Sequence, residues 1–350
     1  MARSMEERNR QDKEVKDELR ELLEKNGRGT LELAKRLMLE NEDQIECTEV
    51  RRALTYFADE YWVDLIRPTL MRLTCEAVGG DSDKITPVIV PIILITGGMD
   101  IHDDIIDQST TKDGRPTVFG KFGKDISLLT GDALLLKGFI RLHQALRQQP
   151  TGKATRILRI IEETFFELGD AEALELKLKG KIDADPEEYL RIVRKKAADV
   201  EAYTYISAIL GDGTKKEVEA MRECGRILGM LAIISDDLID MMDEKELQHR
   251  LKYETAPLPI LYAAHDLDAK VAICSALSSA KDRRTVLNRI IRTVTKNGGI
   301  AKTQEKMKEL TKESSLRLQA IKHKSKELTI LTNMIGVSCE TKEKKTIGNS

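Results

Sequence analysis

Apolar residues recur at every third or fourth position along most of the chain, which is the spacing of one buried helix face. The pattern begins with Leu19, Leu22 and Leu23 and continues to about residue 334. No stretch shows the strict alternation of apolar and polar residues that is typical of a half-buried strand. The pattern therefore predicts an all-α fold, built as a single large helical bundle.

Turn and capping residues mark the ends of the predicted helices. Gly79, Gly80 and Asp81 follow a helical stretch and form a helix stop. Asp185 followed by Pro186 has the form of an N-cap and a first helical residue. The predicted helical stretches are 48–78, Pro87 to about Asp107, 124–147, 153–178, 186–210 and 215–242, with further helices after 256–259.

The two ends of the chain differ in composition from its middle. Residues 1–30 are densely charged and are predicted to form a helical extension. Residues 336–350 are polar and are predicted to be a frayed tail. The predicted helical domain lies between them, over residues 31–335.

Charge and hydropathy exclude several classes of protein. The formal net charge is −2, so the chain has no general basic field for nucleic acid. The longest apolar run, residues 88–95, is too short to cross a bilayer, and residues 1–26 lack the apolar core of a signal peptide. The five cysteines are dispersed, as expected of reduced thiols. We therefore expect a cytoplasmic protein with no transmembrane segment and no nucleic-acid partner.

Two clusters of three aspartates share one spacing, and each follows an apolar helical stretch. They are the first aspartate cluster, Asp103, Asp104 and Asp107, and the second aspartate cluster, Asp236, Asp237 and Asp240. Residues four apart lie on one helix face, so each cluster can present two carboxylates side by side. Carboxylates at a helix C-terminus oppose the helix dipole, at a small cost. If both clusters face one cavity, their mutual repulsion needs cations to offset it. Carboxylate oxygens suit Mg²⁺, which shares its coordination sphere with phosphate oxygens. The clusters therefore predict a Mg²⁺ site that holds a diphosphate at the mouth of an apolar pocket.

The chain resembles the trans-isoprenyl diphosphate synthases, the family of farnesyl and geranylgeranyl diphosphate synthases, from about residue 50 to residue 330. The aspartate clusters match the two aspartate-rich motifs of that family, and residues 67–81, 114–135 and 195–197 match other family segments. The resemblance implies a helical bundle with a deep central cavity and a small-molecule prenyl diphosphate as substrate. It also implies a cluster of three Mg²⁺ ions and a homodimer.

The resemblance assigns roles to individual residues. It implies that all six clustered aspartates are metal ligands. The implied catalytic residues are Asp103, Asp107, Asp236 and Lys195. The implied contacts of the substrate diphosphate are Lys112, Lys195 and Arg67. Lys112 stands where the family has an arginine, which keeps the positive charge but loses the planar fork of a guanidinium.

The basic site in which the family binds a second substrate, isopentenyl diphosphate, is altered in this chain. Asp64 stands at the position of a lysine, Thr96 at that of a histidine and Asp113 at that of an arginine, whereas Arg67 is retained. Two cations have thus become anions, and each close contact with a diphosphate would cost on the order of 1–4 kcal/mol. Ionisation of an allylic diphosphate is expected to be retained, and binding of a diphosphate-bearing acceptor is expected to be lost.

A further cation of the family is missing after the second aspartate cluster. Thr255 stands at the position of a lysine, and either Lys252 or Arg250 is a candidate replacement.

Three hypotheses remain open. We favour a terpene synthase, in which the cation cyclises, loses a proton or captures water beside aromatic side chains; the candidates are Tyr61, Trp62, Phe165 and Phe166. The alternative is a chain-elongating polyprenyl diphosphate synthase, or transfer to another acceptor, with Gly98 and Met99 lining the tail pocket. The third is a regulatory subunit that pairs with an active homologue.

Overall fold

The computed structural model describes residues 5–112, 114–278, 283–323 and 326–337. These residues are almost entirely helical, so the predicted all-α class is confirmed. Within them the chain forms two compact units. Unit 1 contains the residues up to Leu158 together with Ser207–Gly213, and unit 2 contains Arg159–Ile206 and the residues from Thr214 onward.

Unit 1 is built from the N-terminal helices. They are α1 (Met5–Leu39), α2 (Thr48–Tyr56), α3 (Ile66–Ala77), α4 (Ser82–Ile106) and α5 (Val118–Leu146). A 3₁₀ turn covers Glu42–Gln44, and a π-helical turn covers Phe57–Tyr61. The predicted stretch 48–78 is thus two helices, separated by this turn and four residues outside any helix.

The core of unit 1 is the pairing of α4 with α5. Glycines allow the two helices to approach closely: a Cβ atom added to Gly98 would lie 2.9 Å from the carbonyl oxygen of Gly131, and one added to Gly138 would lie 2.5 Å from Ile95. Among the described residues α4 is the helix that is long and apolar enough to span a membrane, but 72% of its apolar window is buried inside the protein. It is therefore a core helix.

A short antiparallel hairpin follows α4. Its strands are β1 (Thr111–Lys112) and β2 (Arg115–Pro116). The sequence predicted a turn at this point but no strands. Thr117 closes the loop, since its hydroxyl donates to the carbonyl oxygen of Ser109 at 2.7 Å and its amide donates to that of Thr110 at 3.0 Å.

Helix α6 (Thr151–Leu178) begins in unit 1 and continues into unit 2. The other helices of unit 2 are α7 (Pro186–Lys196), α8 (Ala198–Leu210, whose last residues belong to unit 1), α9 (Lys215–Asp240), α10 (Glu244–Tyr253), α11 (Leu258–Ala264), α12 (Leu267–Leu277), α13 (Arg283–Lys296), α14 (Gly299–Leu318) and α15 (Lys326–Val337). The side chain of Asp185 caps α7 by accepting from the amide of Glu187, as its sequence predicted. Thr214 and Glu217 form a capping box at the start of α9.

The predicted helix 186–210 is broken at Ala197. In a continuous helix the carbonyl oxygen of Arg194 would accept from the amide of Ala198. Here it accepts from the guanidinium of Arg226, at 2.7 Å. A side chain from α9 therefore takes the place of a backbone donor, which is an established cause of helix breaks.

The predicted division into an extension, a helical domain and a tail stays a prediction. Helix α1 continues without a break across the proposed boundary at residue 30, and Leu22 on its N-terminal side is buried. Most of the predicted polar tail lies outside the described residues.

Candidate active site

The first aspartate cluster lies at the C-terminal end of α4. Asp103 and Asp107 are half-buried, and each offers a carboxylate oxygen within 4.8 Å of the other. That separation is compatible with two ligands of one ion, because oxygen ligands of Mg²⁺ and Ca²⁺ lie about 2.0–2.6 Å from the metal. The residues present therefore fit a divalent cation, as the i, i+4 spacing predicted.

Lys112 of β1 forms ion pairs with two aspartates of this cluster. Its Nζ lies 2.8 Å from Oδ1 of Asp104 and 3.5 Å from Oδ2 of Asp103. Burial raises the pKa of Asp104 to about 6, although Lys112 opposes the shift. Burial also works against the charge of Lys112, but Asp103 and Asp104 outweigh it and raise the pKa of the ammonium group. Lys112 is therefore a permanent positive charge beside the first aspartate cluster.

Asp64 and Arg67 stand at positions that the resemblance assigned to a basic site, and both make contacts with residues of α3 or α4. Asp64 accepts from the amide of Ile66 at 2.9 Å, which stabilises the start of α3. Arg67 pairs with Asp64 at 3.1 Å and forms a two-pronged contact with Asp100, at 2.8 and 3.0 Å. The predicted role of Arg67 as a diphosphate contact remains a prediction, since its guanidinium is engaged by two carboxylates.

The other replaced positions offer no cation. The hydroxyl of Thr96 is buried and donates to the carbonyl oxygen of Ile92, one helical turn earlier, at 3.0 Å. Asp113 lies outside the described residues. Gly98 faces α5, where the absence of a side chain permits close helix packing, and its predicted place in the tail pocket stays a prediction.

Aromatic side chains cluster beside this segment. Trp62 is buried and stacks on Phe57, with ring centroids 5.1 Å apart. Tyr61 packs on Phe57 at 5.9 Å, and burial, together with the charge of Asp104, raises the pKa of its hydroxyl. Phe166, another aromatic candidate, is 75% exposed. Tyr61 and Trp62 therefore belong to a packed aromatic core.

The second aspartate cluster lies at the end of α9, and its middle residue is fully buried. Both carboxylate oxygens of Asp237 lie within 3.1 Å of the Tyr189 hydroxyl. Asp237 also accepts from the guanidinium of Arg250 at 2.7 Å and from the amide of Leu258 at 3.0 Å. Asp237 thus joins the end of α9 to Tyr189, Arg250 and Leu258, and its predicted role as a metal ligand stays a prediction.

Arg250 contacts a second aspartate of the same cluster. Its Nη1 lies 3.0 Å from Oδ2 of Asp240, and its Nε lies 2.9 Å from Oε2 of Glu254. Burial works against the charge of Arg250, but the surrounding carboxylates, Asp237 foremost, raise the pKa of the guanidinium well above its usual value. Arg250, which was one of two candidates to replace the missing lysine, thus places a positive charge at this cluster. The other candidate, Lys252, lies over the ring of Tyr253 at 4.6 Å.

Lys195 lies in the last turn of α7 and pairs with Asp170 of α6 at 3.0 Å. The adjacent Lys196 pairs with Glu172 at 3.1 Å and with Glu175 at 2.5 Å. The break of the helix at Ala197 follows directly, and this places both lysines at a helix C-terminus, where positive charge is favoured.

Sequence reasoning missed several residues of the site. Asp100, Tyr189 and Arg226 each act through a partner that is distant in sequence: Asp100 through Arg67, Tyr189 through Asp237, and Arg226 through Glu201 and Glu167. No local motif marks them. One signal could have pointed to Asp100: Arg67 is retained while neighbouring basic positions have become acidic, and a retained arginine in such a segment is expected to have a carboxylate partner.

Comparison with known proteins gives one family. The family model of the polyprenyl synthetases matches residues 58–297. A short chain isoprenyl diphosphate synthase of Methanothermobacter thermautotrophicus is 32% identical over 182 residues, which cover 52% of this chain and 55% of the relative. The chain thus spans about half the length of this relative.

Solved structures agree over a larger part of the chain. The geranylgeranyl pyrophosphate synthetase of Pyrococcus horikoshii has a TM-score of 0.77 and 25% identity, and the match covers 92% of this chain and 98% of that one. A polyprenyl synthase of Caulobacter crescentus, solved with calcium and isoprenyl diphosphate, has a TM-score of 0.74 and 18% identity, over 91% and 97% of the two chains. The second likeness concerns the fold alone.

Proposed function

Because the chain belongs to the polyprenyl synthetase family, we propose that it is a divalent-metal-dependent prenyltransferase, which ionises an allylic prenyl diphosphate and joins the prenyl group to an acceptor. The observation that carries the proposal is the first aspartate cluster, whose two outer carboxylates lie close together beside a charged lysine. Paired carboxylates and a nearby ammonium group are the two partners that a metal-bound diphosphate needs.

The metal ions would be Mg²⁺. Asp103 and Asp107 would be the ligands that the first aspartate cluster supplies, and Asp236 and Asp240 those that the second supplies. When bound at these residues, Mg²⁺ would supply positive charge that stabilises the diphosphate as a leaving group. Lys112 binds and orients the diphosphate near the first aspartate cluster, because its ammonium stays protonated across the physiological pH range. Lys195 supplies a second ammonium group at the end of α7.

The names of the relatives support chain elongation as the reaction. They are synthases of isoprenyl diphosphates, whereas our sequence-based preference was for a terpene synthase. We therefore place first the alternative, in which the allylic cation reacts with isopentenyl diphosphate and yields a longer prenyl diphosphate. Substrate length remains part of the proposal, with farnesyl, geranylgeranyl or a longer prenyl diphosphate as the allylic substrate.

A second candidate is supported by the segment around Arg67. A diphosphate placed there would meet Asp64 and Asp100, and it would have to compete with both carboxylates for one guanidinium. That arrangement favours an acceptor without a diphosphate, such as water or a neutral molecule. The products would then be alcohols, hydrocarbons or prenylated acceptors.

We also propose that the protein is a cytoplasmic homodimer. Helix α5 presents Leu129, Leu136 and Ile140, which lie seven and four residues apart and so share one face. Their side chains are 55%, 64% and 58% exposed in the single chain. A second copy of the same helix would cover this apolar face.

One incubation separates the candidates. The full chain is incubated with Mg²⁺ and farnesyl or geranylgeranyl diphosphate, with and without isopentenyl diphosphate, and both hydrocarbon and diphosphate products are analysed. A longer diphosphate that forms only with isopentenyl diphosphate supports elongation. An alcohol or hydrocarbon that forms without it supports the second candidate. Inertness that a second polypeptide relieves would instead support the regulatory-subunit hypothesis.

A variant pair controls for the site. The double variant Asp103→Asn/Asp107→Asn should abolish every product. The matched control is Asp83→Asn, which alters another carboxylate of α4 that pairs with Arg72 at 2.7 Å. Full activity of the double variant would refute the assignment of the first aspartate cluster.

A further inference from the structure

The carboxylate of Asp237 has its hydrogen-bonding positions filled by protein donors. A carboxylate offers about four lone-pair positions. Oδ1 receives Arg250 at 2.7 Å and lies 3.1 Å from the Tyr189 hydroxyl, while Oδ2 receives the amide of Leu258 and lies 3.0 Å from the same hydroxyl. These donors come from α7, α10 and the start of α11, so Asp237 joins three elements to the last turn of α9. No surface of its side chain is exposed.

The guanidinium of Arg250 carries this connection to the neighbouring aspartate. Nη2 contacts Asp237 and Nη1 contacts Asp240, so one planar group fixes two carboxylates that lie three residues apart on α9. Glu254 contacts Nε on the third side. A guanidinium holds partners in a fixed fork, which a lysine ammonium cannot reproduce.

Thr255, which stands at the position of the missing lysine, supplies no positive charge. Thr255 is fully buried, and its hydroxyl has no hydrogen-bond partner. Its carbonyl oxygen instead lies 3.4 Å from Nε of Arg250. The local chain is therefore arranged around Arg250.

We propose that Arg250 is a positioning residue of the second aspartate cluster. Asp237 holds the guanidinium in place, and the guanidinium in turn orients the carboxylate of Asp240. Asp237 itself is an anchor: it fixes neighbouring elements to α9 and is not a metal ligand. The metal-binding role of Asp236 and Asp240 rests on the function proposed above. The position of Arg250 relative to Asp237 and Asp240 does not depend on that function.

The test measures Mn²⁺ binding by electron paramagnetic resonance, with the full chain and inorganic pyrophosphate. The key variant is Arg250→Lys, which keeps the positive charge near the cluster. Any change in Mn²⁺ affinity then reports geometry, because removal of the charge would by itself raise the affinity for a cation. We expect Arg250→Lys to stay folded at 20 °C by near-ultraviolet circular dichroism and to lower Mn²⁺ affinity threefold or more. Arg222→Lys, at a half-exposed arginine that pairs with Glu201 at 2.8 Å, should leave the affinity unchanged.

A double-variant cycle shows whether Arg250 acts through Asp240. In an Asp240→Asn background, Arg250→Lys should have little further effect on Mn²⁺ affinity, because the carboxylate it orients is gone. Effects that add fully in the double variant would overturn the positioning role. So would an unchanged Mn²⁺ affinity in the single Arg250→Lys variant.

A third comparison tests whether Asp237 stabilises the fold without binding metal. Asp236→Asn should lower Mn²⁺ affinity tenfold or more without a change in the urea midpoint, whereas Asp237→Asn should lower the urea midpoint and keep the number of bound Mn²⁺ ions. If Asp237→Asn does not fold, Tyr189→Phe removes one donor to the same carboxylate and should show the same pattern more weakly. Loss of a bound ion in either variant with an unchanged urea midpoint would overturn the anchor role.

The same data distinguish the two proposals. If the unaltered protein binds no Mn²⁺ with pyrophosphate present, the proposed function fails and the positioning role fails with it. If the unaltered protein binds Mn²⁺ and Arg250→Lys is unaffected, only the positioning role fails.

Discussion

Arg67 donates two N–H groups to the two carboxylate oxygens of Asp100, at 2.8 and 3.0 Å. Asp64 occupies the same guanidinium at 3.1 Å. A two-pronged arginine–carboxylate pair is strong and directional, so Arg67 is already neutralised before any substrate approaches. The one retained basic residue of this segment is therefore not a free anion site.

Removal of a carboxylate partner of Arg67 should strengthen the binding of a diphosphate-bearing acceptor. Asp100→Asn removes one of its two carboxylate partners, and we expect the KM for isopentenyl diphosphate to fall several-fold while kcat with the allylic substrate stays the same. Steady-state kinetics on the purified variant would measure this. Asp83→Asn is the control on the same helix. An unchanged KM would mean that the acceptor does not approach Arg67.

Metal binding should depend on the two outer aspartates of the first cluster. Asp103→Asn and Asp107→Asn should each lower Mn²⁺ affinity at least tenfold, because each removes one of two carboxylates that lie within 4.8 Å of each other. Chelation with EDTA should abolish turnover, and added Mg²⁺ should restore it. Isothermal titration with Mn²⁺ would show the loss, and wild-type affinity in both variants would contradict the assignment.

Stability should fall in acid through Glu201. Burial works to raise the pKa of this carboxyl, but Arg226 and Arg222 outweigh it and hold the pKa below the usual value of 4.5. The unfolded chain therefore takes up the proton first, so this contribution is complete above pH 4.5 and is lost as the pH falls through the folded-state pKa. Urea unfolding between pH 7 and pH 3 would measure the loss.

A substitution at Glu201 should remove that pH dependence. Glu201→Gln leaves Arg226 without one of its buried partners and should cost about 3 kcal/mol at pH 7, with a flatter acid limb. The control is Glu219→Gln, since Glu219 pairs with Arg222 at 3.3 Å and its side chain is 50% exposed. Equal effects of the two substitutions would argue against a special role of Glu201.

Gly98 should control helix packing and leave product length unchanged. An added Cβ would lie 2.9 Å from the carbonyl oxygen of Gly131 and 3.0 Å from Leu135, so Gly98→Ala should cost about 1–3 kcal/mol. The control is Gly29→Ala on α1, where nothing lies within 4 Å and the better helix former should stabilise by about 0.5–1 kcal/mol. Thermal unfolding gives both values. A shorter prenyl product from a fully stable Gly98→Ala variant would support the tail-pocket role.

Dimer formation should depend on the apolar face of α5. Leu136→Asp places a charge on that face and should convert a dimer into a monomer by light scattering with size-exclusion chromatography. Leu267 of α12 is 75% exposed, so Leu267→Asp is a control of similar chemistry outside that face. A monomeric unaltered chain, or a dimer that persists in Leu136→Asp, would contradict the proposal.

Local sequence patterns predicted the helices and the two aspartate clusters, since both depend on residues that are close in the chain. The cap at Asp185 and the apolar helix before Asp103 are examples. Ala197 shows the limit: helix propensity runs straight through it, and the break depends on Arg226, which lies 29 residues further along the chain. Asp237 shows the same limit in the site, because its spacing matches that of a ligand while its burial depends on Tyr189 and Arg250.

The contact between the Arg226 side chain and the Arg194 carbonyl oxygen has a consequence for chimeras, in which one helix is replaced by that of a relative. The carbonyl oxygen of Arg194 on α7 accepts from the guanidinium of Arg226 on α9, so the two partners belong to separate segments of the chain. A chimera that takes α9 from a protein without this arginine would leave that carbonyl without its donor. We then expect α7 and α8 to form one continuous helix through Ala197, which would change the position of Lys195.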